Sequence, residues 1–110
     1  MSGSGGSIGG GGGGFAASEN CESLVIVTQI NSPQASVVER LQVGNVLDVV
    51  LAPDEGATAV ALEYQGQRAG GILHGLLYRL RECLANGTRY QAHVQSIDEG
   101  QVRVRIRSQQ

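Results

Sequence analysis

Residues 102–107 read Val-Arg-Val-Arg-Ile-Arg, a strict alternation of apolar and cationic side chains. An extended strand with one buried and one wet face satisfies that pattern, because successive strand side chains point to opposite sides. A helix would spread the same arginines around its circumference. Val102, Val104 and Ile106 therefore belong to a core, and Arg103, Arg105 and Arg107 to the opposite face. The preceding segment, Arg89 to Ile97, sorts the same way: Tyr90, Ala92 and Val94 suit the core, while Arg89, Gln91, His93 and Gln95 suit the other side. Asp98-Glu99-Gly100 joins the two as a three-residue connection ending in Gly, which makes a hairpin.

Upstream, Leu24 to Ile30 is short, β-branched and bounded by polar residues, and predicts a buried strand. Ser32 suits an N-cap and Pro33 a first helical position, so a short helix from Pro33 to about Leu41 is expected. Its two-turn length fits an irregular loop equally well. Val46 to Ala52 and Thr58 to Tyr64 read as two further strands, and Gln65-Gly66 turns the second into a short one at Gln67 to Gly70. The period then changes. Leu73, Leu76, Leu77, Leu80, Cys83 and Leu84 form the apolar stripe of an amphipathic helix, and Asn86-Gly87 is its left-handed stop. The expected fold is α+β: a small antiparallel, barrel-like sheet with one long amphipathic helix and one short one.

Of 17 glycines, 9 fall within the first 14 positions, a stretch that cannot bury apolar surface. Residues 1–20 are therefore expected to be a Gly-rich tail acting as a tether, and residues 21–110 one small domain. All 8 basic residues are arginine, and they are unevenly placed. Before position 68 one arginine faces seven acids, giving −6; from 68 onward seven arginines face three acids, giving +4. Such a split can mark a basic binding face backed by an acidic one. No apolar run reaches the ~20 residues of a membrane span. Two cysteines make neither a disulfide framework nor a four-ligand zinc site. Cytoplasmic location with reduced thiols is the expectation, which leaves a Cys21–Cys83 disulfide unfavoured, Cys83 in the core and Cys21 open to exposure at the tail junction.

The hairpin carries the first candidate site. Pairing apolar with apolar gathers Arg89, His93, Arg103, Arg105 and Arg107 on one face, together with glutamines and no acid. Guanidinium suits phosphate, and Gln and His add hydrogen bonds to phosphates, sugars or base edges. The face carries no aromatic stacking platform of the kind single-stranded nucleic acid uses. A solvated outer face whose arginines deter edge pairing fits the same pattern. A second candidate anion site is Arg68-Ala69-Gly70-Gly71, where glycines ahead of a helix let backbone amides approach an anion. His74, His93 and Asp48 assemble no triad, acid–base pair or metal set, so neither catalytic residues nor a cofactor are expected.

From Leu41 to Ile97 three pieces stand out: Leu41-Gln42-Val43-Gly44-Asn45-Val46-Leu47, Ala59-Val60-Ala61-Leu62-Glu63-Tyr64 and Gly66-Gln67-Arg68-Ala69-Gly70. A helix, then Asn86-Gly87-Thr88-Arg89-Tyr90 and Ala92-His93-Val94, follow. In these pieces and their order the chain resembles HIRAN-type domains. The resemblance implies a small barrel similar to an OB fold that binds single-stranded DNA ends. The family's acidic Glu-Pro…Asn-Pro…Asp stretch is replaced here by Ala52-Pro53-Asp54-Glu55-Gly56, and no individual binding residue carries over. The expected function is a non-enzymatic binding module offering its arginine face to an anionic partner, nucleic acid foremost. The alternative is a protein–protein adaptor or a homo-oligomer pairing through a strand edge.

Overall fold

The computed structural model describes residues 21–56 and 59–109. The expectation of a tail at residues 1–20 lies outside them. The elements run β1 (Val25–Gln29), α1 (Ala35–Val38), β2 (Val46–Leu51), a 3-10 turn (Pro53–Glu55), β3 (Val60–Tyr64), β4 (Gln67–Gly71), α2 (Leu77–Ala85), β5 (Tyr90–Asp98) and β6 (Gln101–Ser108). All strand pairs are antiparallel, in the order β1-β6-β5-β2-β3-β4.

The sheet curls into a half-barrel whose two ends are tied by the segment after β1. Ile30 N–H still donates to Val102 of β6 at 2.8 Å. One residue later Asn31 exchanges both backbone hydrogen bonds with Gly71 of β4, at 2.8 and 2.9 Å, and Gln34 N–H donates to Ala69 at 2.8 Å. Inward-facing residues of every strand share one core, with Ile26, Leu47, Leu62, Val94, Val102, Val104 and Ile106 fully buried. Leu80 and Cys83 of α2 and Val37 and Val38 of α1 complete it.

Both tight hairpins are two-residue turns with positive φ at each central residue: Gln65-Gly66 (52° and 81°) and Glu99-Gly100 (51° and 84°). This mirror-image turn matches the right-handed strand twist, and glycine takes the second position without strain. The β5–β6 connection is thus one residue shorter than expected, because Asp98 pairs with Gln101 inside the ladder.

Four other expectations are corrected. The helix is not long: α2 has nine residues and starts at Leu77, not near Leu73. Gly75 and Leu76 form a separate turn before it, closed by the Leu77 N–H donating to the His74 carbonyl at 3.0 Å, and the Leu76 N–H donates to His74 Nδ1 at 3.0 Å. Leu73 is left 66 % exposed. The stop falls as expected, with Gly87 at φ 100° and Thr88 N–H donating to Cys83 carbonyl at 2.9 Å. The short helix has four residues with Gln34 at its N-cap position, making no side-chain cap bond, because Ser32 takes φ 51° and Pro33 lies before that position. Strand β1 is not buried on both faces: Val25 and Val27 are each 41 % exposed, since nothing covers the sheet's outer side there among the described residues.

The fourth correction concerns the thiols. Cys21 and Cys83 form a disulfide, 62 residues apart in sequence and with Cα atoms 5.5 Å apart. Cys21 is buried, not exposed. Sequence spacing carried no sign of this, because only the docking of α2 against the segment preceding β1 brings the two together. Tyr90 adds to the same junction: its hydroxyl donates to the Cys21 carbonyl.

Candidate anion-binding sheet face

Strand alternation and register together define the outer face of the sheet. Along β6, Arg103, Arg105 and Arg107 stand exposed on it. On the β1 side their partners are Gln29, Val27 and Val25. On the β5 side they are Ser96, His93 and Gln91. None of these partners is an acid or another arginine. Arg89 lies one residue before β5, is exposed, and offers its carbonyl to Gln109 N–H at 2.8 Å. The structure thus brings His93, Arg103, Arg105 and Arg107 onto one side of one hairpin, with Arg89 exposed just ahead of β5. Among the described residues, none of the four arginines has a carboxylate within ion-pair distance.

A β-bulge modifies the expected face. Val94 pairs with Val104, but Arg103 pairs with Ser96, so Gln95 is an extra residue on β5. The bulge shifts the phase by one. Ser96 replaces Gln95 beside Arg103, Ile97 turns inward against the core, and Asp98 turns outward at the hairpin tip. One acid therefore bounds the face at that end. A second boundary lies across the strands, where Asp48 of β2 pairs with Gln91 and Glu63 of β3 pairs with Asp48. Val46, 42 % exposed, sits beside His93. These neighbours lie far away in sequence, and only the strand order places them here.

At the second candidate site the surroundings are the chain's own. Arg68 reaches three carboxylates of its own chain: Glu55, Glu63 at 3.6 Å and Asp54 at 3.9 Å. Its guanidinium is thereby engaged by internal acids. Gly70 serves close packing, since a Cβ there would stand 2.3 Å from Ile30 Cγ2 and 2.8 Å from the Asn31 carbonyl. Helix α2 begins six residues after Gly71, so its first amides do not follow the glycines. A cleft of about 280 Å³ does lie beside Asn31, Gln34 and Arg68.

The remaining cation of the acidic half, Arg40, lies 5.6 Å from the centre of the Tyr64 ring and donates to Gln65 and Gln67. At Tyr90, burial pushes the hydroxyl above the ordinary tyrosine value, and the Arg79 guanidinium pulls partly against it. Among the described residues no cluster of His, Cys, Asp and Glu is grouped to hold a metal ion. No helix of the described residues is long and apolar enough to cross a membrane.

Fold and face together define an antiparallel half-barrel with a cationic strip on its outer side. No family model, no curated protein and no solved structure matches the chain.

Proposed function

We propose that this chain is a non-enzymatic binding module that presents the outer face of β5 and β6 to an anionic partner, nucleic acid foremost. The observation that carries the reading is the row of exposed arginines with no carboxylate within ion-pair distance among the described residues. Like charges gathered on one sheet face cost a few tenths of a kcal/mol each, and stability alone would favour acids between them. Arg68 shows the contrast, because the same chain surrounds that cation with three acids.

Amide chemical shifts of the labelled chain, titrated with short single-stranded DNA and RNA at low salt, test the reading. Shifts confined to residues 89–96 and 103–107, reversed by salt, are expected, since phosphate binding releases counterions. Joint replacement of Arg103 and Arg105 by Ser is expected to abolish them while leaving the folded spectrum intact. A flat titration of the unsubstituted chain would remove the proposal.

A second reading rests on β1. Val25 and Val27 are exposed on a strand that pairs on one side only among the described residues, and such an edge can accept another chain. It expects a mass that rises with concentration and no affinity for nucleic acid. On compartment, the Cys21–Cys83 bridge argues for an oxidising environment and against the cytoplasmic expectation.

A further inference from the structure

Granting the nucleic-acid reading above, on which this inference rests, we infer that a single polynucleotide strand lies along β6, parallel to its axis, and does not cross the sheet. The outer face differs along its two directions. Along β6 the surface repeats: Arg107, Arg105 and Arg103 follow at every second residue, about 6.8 Å apart. That repeat is similar to the separation of successive phosphates in an extended strand. At each step the arginine has a hydrogen-bonding side chain on its β5 side, Gln91, His93 or Ser96. On the β1 side stand Val25, Val27 and Gln29, the two valines exposed. A ligand built of identical units thus meets nearly the same surroundings at each unit.

Across the strands the surface does not repeat. The row through Arg107 runs Val25, Arg107, Gln91, Asp48, Glu63, Arg68, and the row through Arg105 runs Val27, Arg105, His93, Val46. A phosphate chain on the first path would meet one guanidinium, then Asp48 and a Glu63 already paired with Arg68; on the second it would meet one guanidinium and then an exposed valine. Asp48 is two strands from Arg107, about 10 Å, which is within one screening length at 0.1 M salt. The repulsion therefore persists where binding would be measured. Asp48 and Glu63 stand at the Arg107 end of one flank, the exposed Val46 lies beside His93 further along it, and Asp98 marks the opposite tip. Direct phosphate contact by arginine supplies the attraction, and β5 supplies the side chains that meet base edges.

Two measurements on the full chain test the direction. In a length series of oligothymidylates, affinity is expected to rise until three consecutive phosphates are present and then to flatten. The salt slope is expected near −2, with each of R103Q, R105Q and R107Q reducing it by about 0.7. The second measurement places a nitroxide at the 5′ or the 3′ end of the oligomer. Broadening of Gln91 and Arg107 by one label, and of Gln101 and Arg103 by the other, is the expected result. Broadening of Val25 and Val27 by one label and of Asp48 and Glu63 by the other would overturn the direction while the nucleic-acid reading stands. Absence of binding by every oligomer would sink both.

Discussion

Tyr90 shows how much one side chain can join. Its ring is buried in the core at the start of β5, and its hydroxyl donates to the carbonyl of Cys21, whose sulfur is bonded to α2. Alternation placed Tyr90 inward from the sequence, but its partner is 69 residues away and was invisible there. The raised pKa has a consequence with a definite sign. The folded state holds the phenolic proton more tightly than the unfolded chain does, so this contribution is complete below about pH 10 and is lost as pH rises through the folded value. Tyr90→Phe is expected to lower stability at neutral pH by about 1 kcal/mol, because the carbonyl loses its donor. The variant should also lose less stability than the parent on going to alkaline pH. Urea midpoints of both proteins, followed from neutrality past pH 10, check this, and parallel curves would contradict it.

Among the elements, strands were more legible than helices. Each strand expected from alternation or a β-branched run is present with ends moved by one or two residues, because side-chain period and face burial are local properties. Helix length was not legible. The apolar spacing from Leu73 to Leu84 is sound, yet Gly75 lowers helix propensity, and the His74 turn ends the extended segment before α2 starts. The bulge at Gln95 left no mark in composition either, and it decides which residue stands beside Arg103. The crossing after β1 carries a test of packing. Gly70 has no room for a side chain against Ile30 and the Asn31 carbonyl. Gly70→Ala is expected to cost about 1–3 kcal/mol by pushing β4 away from the crossing segment. A chemical-denaturation midpoint unchanged from the parent would show that the crossing is loose.

At the scale of the whole molecule the disulfide and the charge split matter most. The Cys21–Cys83 bond closes a loop 62 residues in sequence separation, running from the segment before β1 into α2. In the chain-entropy account a loop of that size stabilises by about 4 kcal/mol, mainly by restricting the unfolded chain. Cys21→Ser with Cys83→Ser is expected to lower the urea midpoint by a corresponding amount while leaving the hairpin's amide spectrum in place. Equal midpoints for parent and variant would show that the bond is dispensable. The charge asymmetry read along the sequence also becomes spatial. Asp48, Glu63, Asp54 and Glu55 gather with Arg68 around β2, β3 and β4, while Arg103, Arg105 and Arg107 occupy β6, with β5 between the two regions. The arginine face was legible because alternation within a hairpin is a local fact. The acids at its Arg107 end were not, because Asp48 reaches Gln91 only through strand order.

By itself, the sequence determined the strands, the inward and outward faces of the final hairpin, the left-handed stop after α2 and the concentration of arginine in the second half. These follow from side-chain period and local backbone preference, which act over a few residues. Only the tertiary structure decided the order of the strands, the partner of each arginine, the engagement of Arg68, the absence of space at Gly70 and the union of Cys21 with Cys83. Those depend on contacts between segments distant in sequence, whose energy arises when the half-barrel closes around its core.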